Sequence, residues 1–143
     1  MIRTLASTAI LGLLAPAALA APANFTAGQW RTDMTLVIGT LSNSETMEDC
    51  MNSYEANKDL KVLADEFAGG MECTAKDVSE TATSVTFNYD CEPGTTFTDG
   101  SATLTRVSST QFTINGEFTI ALEDGQMMEG GISSTSNHIG ACK

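Results

Sequence analysis

Basic residues are scarce in this chain. Its 143 residues carry seven Lys and Arg against 18 Asp and Glu, a formal net charge of −11 at pH 7. Phosphate backbones and anionic lipid surfaces repel such a chain, which excludes nucleic-acid binding. Histidine occurs once, at His138, so any serine hydrolase triad would have to use it. No Gly-x-Ser-x-Gly segment accompanies it, and Ser133, Ser134 and Ser136 lie too close to it in extended chain to supply a nucleophile. There is no Cys-x-x-Cys pair, and no basic residue flanks Cys50 or Cys91 to lower a thiol pKa. EF-hand spacing is also missing.

Long apolar runs are limited to one, at the N-terminus. Arg3 opens it, Leu5–Leu14 is apolar or small, and Ala18-Leu19-Ala20 is a small-x-small peptidase site. Residues 1–20 therefore read as a signal peptide cleaved after Ala20. The alternative, a retained membrane helix, is interrupted by Pro16 and diluted by Gly, Ser and Thr. The mature chain of 123 residues loses Arg3 and carries a net charge near −12. It is one domain in size, with no integral membrane segment. Residues 21–27 read as a flexible leader, in which Asn24-Phe25-Thr26 matches a glycosylation acceptor.

From residue 28 the chain alternates at period two. Trp30, Thr32, Met34, Leu36 and Ile38 share one face, which predicts a half-buried strand. Further strands are expected over 45–51, 71–78, 84–91, 101–107, 111–122 and 126–139. The clearest places Phe112, Ile114, Phe118, Ile120 and Leu122 on one side, with Gly116 marking a bulge or bend. One helix is expected between Ser53, as N-cap, and Gly69-Gly70, with Leu60, Leu63 and Phe67 as its apolar stripe. The fold class is all-β. It is an antiparallel meander of about seven strands, curved or barrel-like, with one short helix after the second strand; a β-sandwich is the alternative. Residues 28–143 form the single domain.

Four cysteines behind a secretion signal predict two disulfides. A turn centred on Ala82 places Cys73 opposite Cys91 across one hairpin, within bridging reach. Cys50 is then left for Cys142. Strand direction agrees, because three further strands carry Cys142 to the end of the sheet away from Cys73 and Cys91.

The order of short motifs resembles a known family. Gly28-Gln29-Trp30 resembles a Pro-Gly-x-Trp-Glu opening, with Ala27 in place of the proline and Arg31 in place of the acid. Thr46–Met51 resembles a strand into the first cysteine, followed by Cys73, by Phe87–Cys91 and by the closing Ile139-Gly140-Ala141-Cys142. Asn137-His138 stands where the family has a basic pair. The chain is similar to the uncharacterised exported four-cysteine domain of Gram-negative bacteria, domain of unknown function, family 3617. The resemblance implies a periplasmic or secreted location and transfers no catalytic residue.

The remaining chemistry is sparse. Asp90, Glu92 and Asp99 surround the Pro93-Gly94 turn and read as solvated acids rather than as a carboxylate pair or calcium site. Met34, Met47, Met51, Met71, Met127 and Met128 raise Cu(I) as a ligand, but their spacing suits gap-filling in a core. No cofactor is implied. The chain reads as a non-enzymatic exported β-domain that binds a small amphipathic or apolar ligand, or an envelope protein. Trp30, Met34, Phe112, Phe118 and Ile120 would line its pocket. A carboxylate-based hydrolase and a structural or adhesive envelope component are the alternatives. The intact mass of the exported protein is expected to match a chain beginning at Ala21; a mass retaining residues 1–20 refutes the cleavage.

Overall fold

A chain with period-two alternation meets its backbone hydrogen bonds between strands. The computed structural model describes residues 24–143, so the signal segment lies outside the described residues. The elements are β1 (Gly28–Ile38), β2 (Leu41–Met51), α1 (Ser53–Ala56), α2 (Leu60–Gly70), β3 (Cys73–Glu80), β4 (Ser84–Cys91), β5 (Phe97–Ser108), β6 (Gln111–Ala121) and β7 (Met127–Gly140). All strands join one antiparallel sheet in the order β2-β1-β7-β6-β5-β4-β3. This is the cyclic order of a barrel left open between β2 and β3. With one sheet, the two-sheet sandwich is set aside.

Seven strands joined only by hairpins would bring the first and last together in parallel. Here β7 is antiparallel to β1, with Trp30 opposite His138 and Leu36 opposite Ile132. The helical connection makes the difference. The chain leaves β2 at Met51, beside Gly28, and re-enters the sheet at Cys73, beside Cys91. These points lie at opposite ends of the sheet, so β3 runs in the same direction as β2.

The expected single helix is two. Asn52, not Ser53, is the N-cap of α1: its side chain accepts from the amides of Tyr54 and Glu55, and Glu55 accepts from the Asn52 amide. This reciprocal arrangement satisfies amides that a helix start leaves unpaired. In α2 the most buried residues are Leu60, Ala64 and Ala68, with Leu63 and Phe67 packed beside them. Small side chains let the helix approach β3 and β4 closely. Phe67 then meets Phe87 edge-on at 6.1 Å.

The leader expected over residues 21–27 is anchored from Asn24 onward. Phe25 is 1% exposed and packs edge-on against Trp30 and Phe112. Its amide donates to Ala56 O, the Thr26 amide donates to Ser109 O, and Asn24 Nδ2 donates to Lys58 O. Burial of an aromatic ring outweighs the entropy that would keep this segment loose.

The apolar face collects Trp30, Val85, Phe87, Tyr89, Ala102, Leu104, Phe118 and Ile120. Gly116 marks no bulge, because its register to Ala102 and Ile132 is continuous. A Cβ there would stand 2.8 Å from Ser101 O, so the residue permits close approach of β5. β7 likewise runs unbroken through Gly130-Gly131.

The disulfides join Cys73 to Cys91 and Cys50 to Cys142. Residues 73–76 pair with 91–88, whereas Ser79 pairs with Thr86. An irregularity at Asp77-Val78 therefore brings the cysteines opposite each other although the turn itself is displaced by half a residue. The two bridges sit at opposite ends of the sheet. On loop-closure entropy, the Cys50→Ala/Cys142→Ala protein should lose roughly 4–5 kcal/mol and the Cys73→Ala/Cys91→Ala protein about 3 kcal/mol. Urea unfolding at neutral pH checks this, and the reverse order would contradict it.

Candidate functional site

One row across the sheet runs Tyr89, Gly100, Phe118 and Gly130, from β4 through β7. Large and small residues alternate along it. The Tyr89 ring lies over Gly100 and the Phe118 ring over Gly130, where a Cβ would collide with each ring. The Tyr89 hydroxyl reaches across β5 and donates to Glu117 O at 2.9 Å. The apolar face is thus sealed by two rings lying against glycine backbone.

The opposite, polar face dips over the same row. A hollow of about 720 Å³ there is lined by Gly100, Gly130 and Gly131 and by side chains from β1 and from β3 through β7. A second hollow of about 460 Å³ continues it over Gly116, sharing Val37, Ser101, Glu117 and Gly131. Glycine removes the side chain that would otherwise hold the backbone off its neighbour, and sheets bend at such positions.

Five carboxylates line the larger hollow, from Asp77, Asp90, Asp99, Glu117 and Glu129, against one ammonium from Lys76. Asp90 and Asp99 stand directly opposite each other across β4 and β5. Asp99 pairs in turn with Thr119, and Thr119 with Glu129. Like charges directly opposite destabilise a ladder by a few tenths to about 1 kcal/mol. Lys76 offsets part of this through its ion pair with Asp90. That hydrogen bond also raises the lysine pKa above its ordinary value. Asn88 donates to Asp77 at 3.1 Å, which positions the carboxylate of a residue with a left-handed φ of 51°. Among the described residues, no group of three or more His, Cys, Asp or Glu is placed to hold a metal ion.

The residues expected to line a pocket occupy the other face. Trp30, Phe118 and Ile120 are buried in the core, and Phe112 packs against it. Trp30 Nε1 donates to Thr26 O at 3.0 Å. Met34 is half-buried opposite Ser134. Phe118 alone of the five also borders the larger hollow. His138 stacks edge-on against Trp30 at 5.7 Å, and Asn24 of the glycosylation acceptor has its amide engaged by Lys58 O. Period two separated polar from apolar faces, but it carried no sign that the polar face is hollow. The available signal was Gly100, Gly116, Gly130 and Gly131 inside strands.

A model of proteins of unknown function, DUF3617, matches residues 25–142. The chain belongs to this family. The DUF3617 match takes in both cysteine pairs and every strand. No curated protein and no solved structure matches the chain. Among the described residues of this DUF3617 domain, no helix is long and apolar enough to cross a membrane.

Burial, and secondarily the charge of Asp99, push the Tyr89 phenol up to about 12 from its ordinary value of 10.0. A pKa raised on folding contributes stability that is complete below pH 10.0 and is lost as pH rises through about 12. Tyr89→Phe should remove this alkaline loss, at a cost of about 1 kcal/mol at neutral pH for the hydrogen bond. Urea midpoints across that pH range test both effects, and an unchanged alkaline slope in the variant would rule out Tyr89 as its source.

Proposed function

We propose that this DUF3617 chain is an exported, non-enzymatic β-domain that binds a small amphipathic ligand bearing ammonium groups in its carboxylate-lined groove. The observation that carries the reading is Asp90 opposite Asp99, with Glu129 farther along the same row. The fold tolerates a repulsive row on an open surface, and such breaches of local rules concentrate at functional sites. A ligand cation relieves the repulsion, so binding and stability are linked. Glu117 lies in the adjacent row, which extends the acidic lining along the groove. Methylene groups between ammoniums would lie over the glycine floor.

Export is part of the proposal. It is supported by the N-terminal signal pattern and by the two disulfides, which persist in oxidising compartments. An acidic surface draws cations toward the groove over a Debye length of about 8 Å at physiological salt.

Spermidine is the probe. Titration of the mature oxidised protein, followed by amide chemical shifts, should move residues lining the groove. Asp99→Asn should weaken binding several-fold and stabilise the unliganded protein by about 0.2–1 kcal/mol. Shifts spread evenly over the acidic surface, or equal binding by the variant, would defeat the groove assignment.

A further inference from the structure

The two edges of the sheet are built differently. The β3 edge has a register irregularity after Lys76, a left-handed residue at Asp77, a lysine and a packed helix. Bulges, lysines and covering elements are the usual means of blunting a free edge. The β2 edge has none of these, and its charges are all acids, with Glu45 and Asp49 on the side that bears the core. β2 holds an unbroken register with β1 over all eleven residues and contains no Pro, Gly, Lys or Arg. Among the described residues no strand pairs with its outer side. Every second residue of such a strand directs its N–H and C=O away from the sheet.

β2 is also tied to β1 by side chains. Thr35 bonds Ser44 at 2.9 Å, Thr46 donates to Asp33 at 2.6 Å, and Arg31 donates to Glu48 at 2.7 Å, all along the polar face. Its far end is tied to the C-terminus by Cys50–Cys142. An ordered edge loses little entropy on accepting another strand.

We propose that β2 is a docking strand for an extended basic segment of another protein, which adds to the sheet beside it. The two faces of β2 state what that segment carries. On the side of the sheet that bears the core, β2 presents Leu41 (75% exposed), Asn43, Glu45, Met47 (37% exposed) and Asp49 in turn. Lysine or arginine fits this face, its aliphatic stem lying over the apolar residue and its charge reaching the acid. On the polar face Ser42, Ser44 and Thr46 form a hydroxyl ladder that a threonine- or serine-bearing face extends. With three acids and no base, β2 matches a basic strand better than a second copy of itself.

The probe is a short capped peptide of alternating lysine and threonine, with alternating glutamate and threonine as its control. Hydrogen exchange on the mature oxidised protein should show new protection at alternate amides of Leu41–Met51 with the lysine peptide alone. The Glu45→Lys/Asp49→Lys protein keeps the Arg31–Glu48 pair, and its amide spectrum reports that the fold is retained. It should bind the lysine peptide about tenfold more weakly, as two like-charge pairs replacing two opposite-charge pairs imply, and should accept the glutamate peptide. Three results would overturn the proposal. They are absence of protection in β2, equal binding of both peptides, and concentration-dependent protection of β2 without peptide, which would mark a homodimer edge. The groove and β2 are separate surfaces, so neither result depends on the spermidine titration.

Discussion

The crossover between β2 and β3 determines how the rest of the chain is arranged. It carries the backbone from the Met51 end of the sheet to the Cys73 end without adding a strand. That one reversal lets β7 lie antiparallel to β1 and pair along nearly its whole length. The connection spends its own apolar residues on the same core. Ala56, Leu60, Ala64 and Ala68 are all buried there. The N-terminal Phe25 fills the space beside Trp30 and Phe112. A short acidic chain thereby gains a core that a flat sheet of this size would lack.

The reversal also explains the disulfides. Cys73 and Cys91 meet where the crossover rejoins the sheet, and Cys50 and Cys142 meet where it departs. The second bridge links the strand before the crossover to the end of the chain. Each bridge secures one end of a sheet that hydrogen bonds do not close. Among the described residues, the open gap leaves β2 free along one side, while α2 packs on β3. The two edges therefore have different fates within one sheet.

The candidate surfaces follow from the same geometry. Tyr89 and Phe118 lie against glycines on the apolar side, and the polar side is hollow over that row. The acids around the hollow come from strands far apart in sequence, from Asp77 to Glu129. Their grouping is a property of register, because Asp90 meets Asp99 only through the β4–β5 ladder.

Much of this architecture was legible in the residues. Period-two alternation marks where Val85, Phe87 and Tyr89 face inward, since side chains of a strand must alternate. The Cys73–Cys91 pairing followed from hairpin register, a local quantity, whereas Cys50 reaches Cys142 only because the crossover carries the chain to the other end of the sheet. Other features had no local signature. Nothing near Asn24 showed that Phe25 would be buried, because its partners Trp30, Phe112 and Ala56 arrive from three other elements. The hollow, the facing acids and the bare edge of β2 depend on which strands become neighbours. Composition and periodicity determined an acidic, disulfide-linked β-domain with one apolar face. Tertiary structure alone decided which polar residues meet and which edge stays open, because both are set by pairings between distant strands.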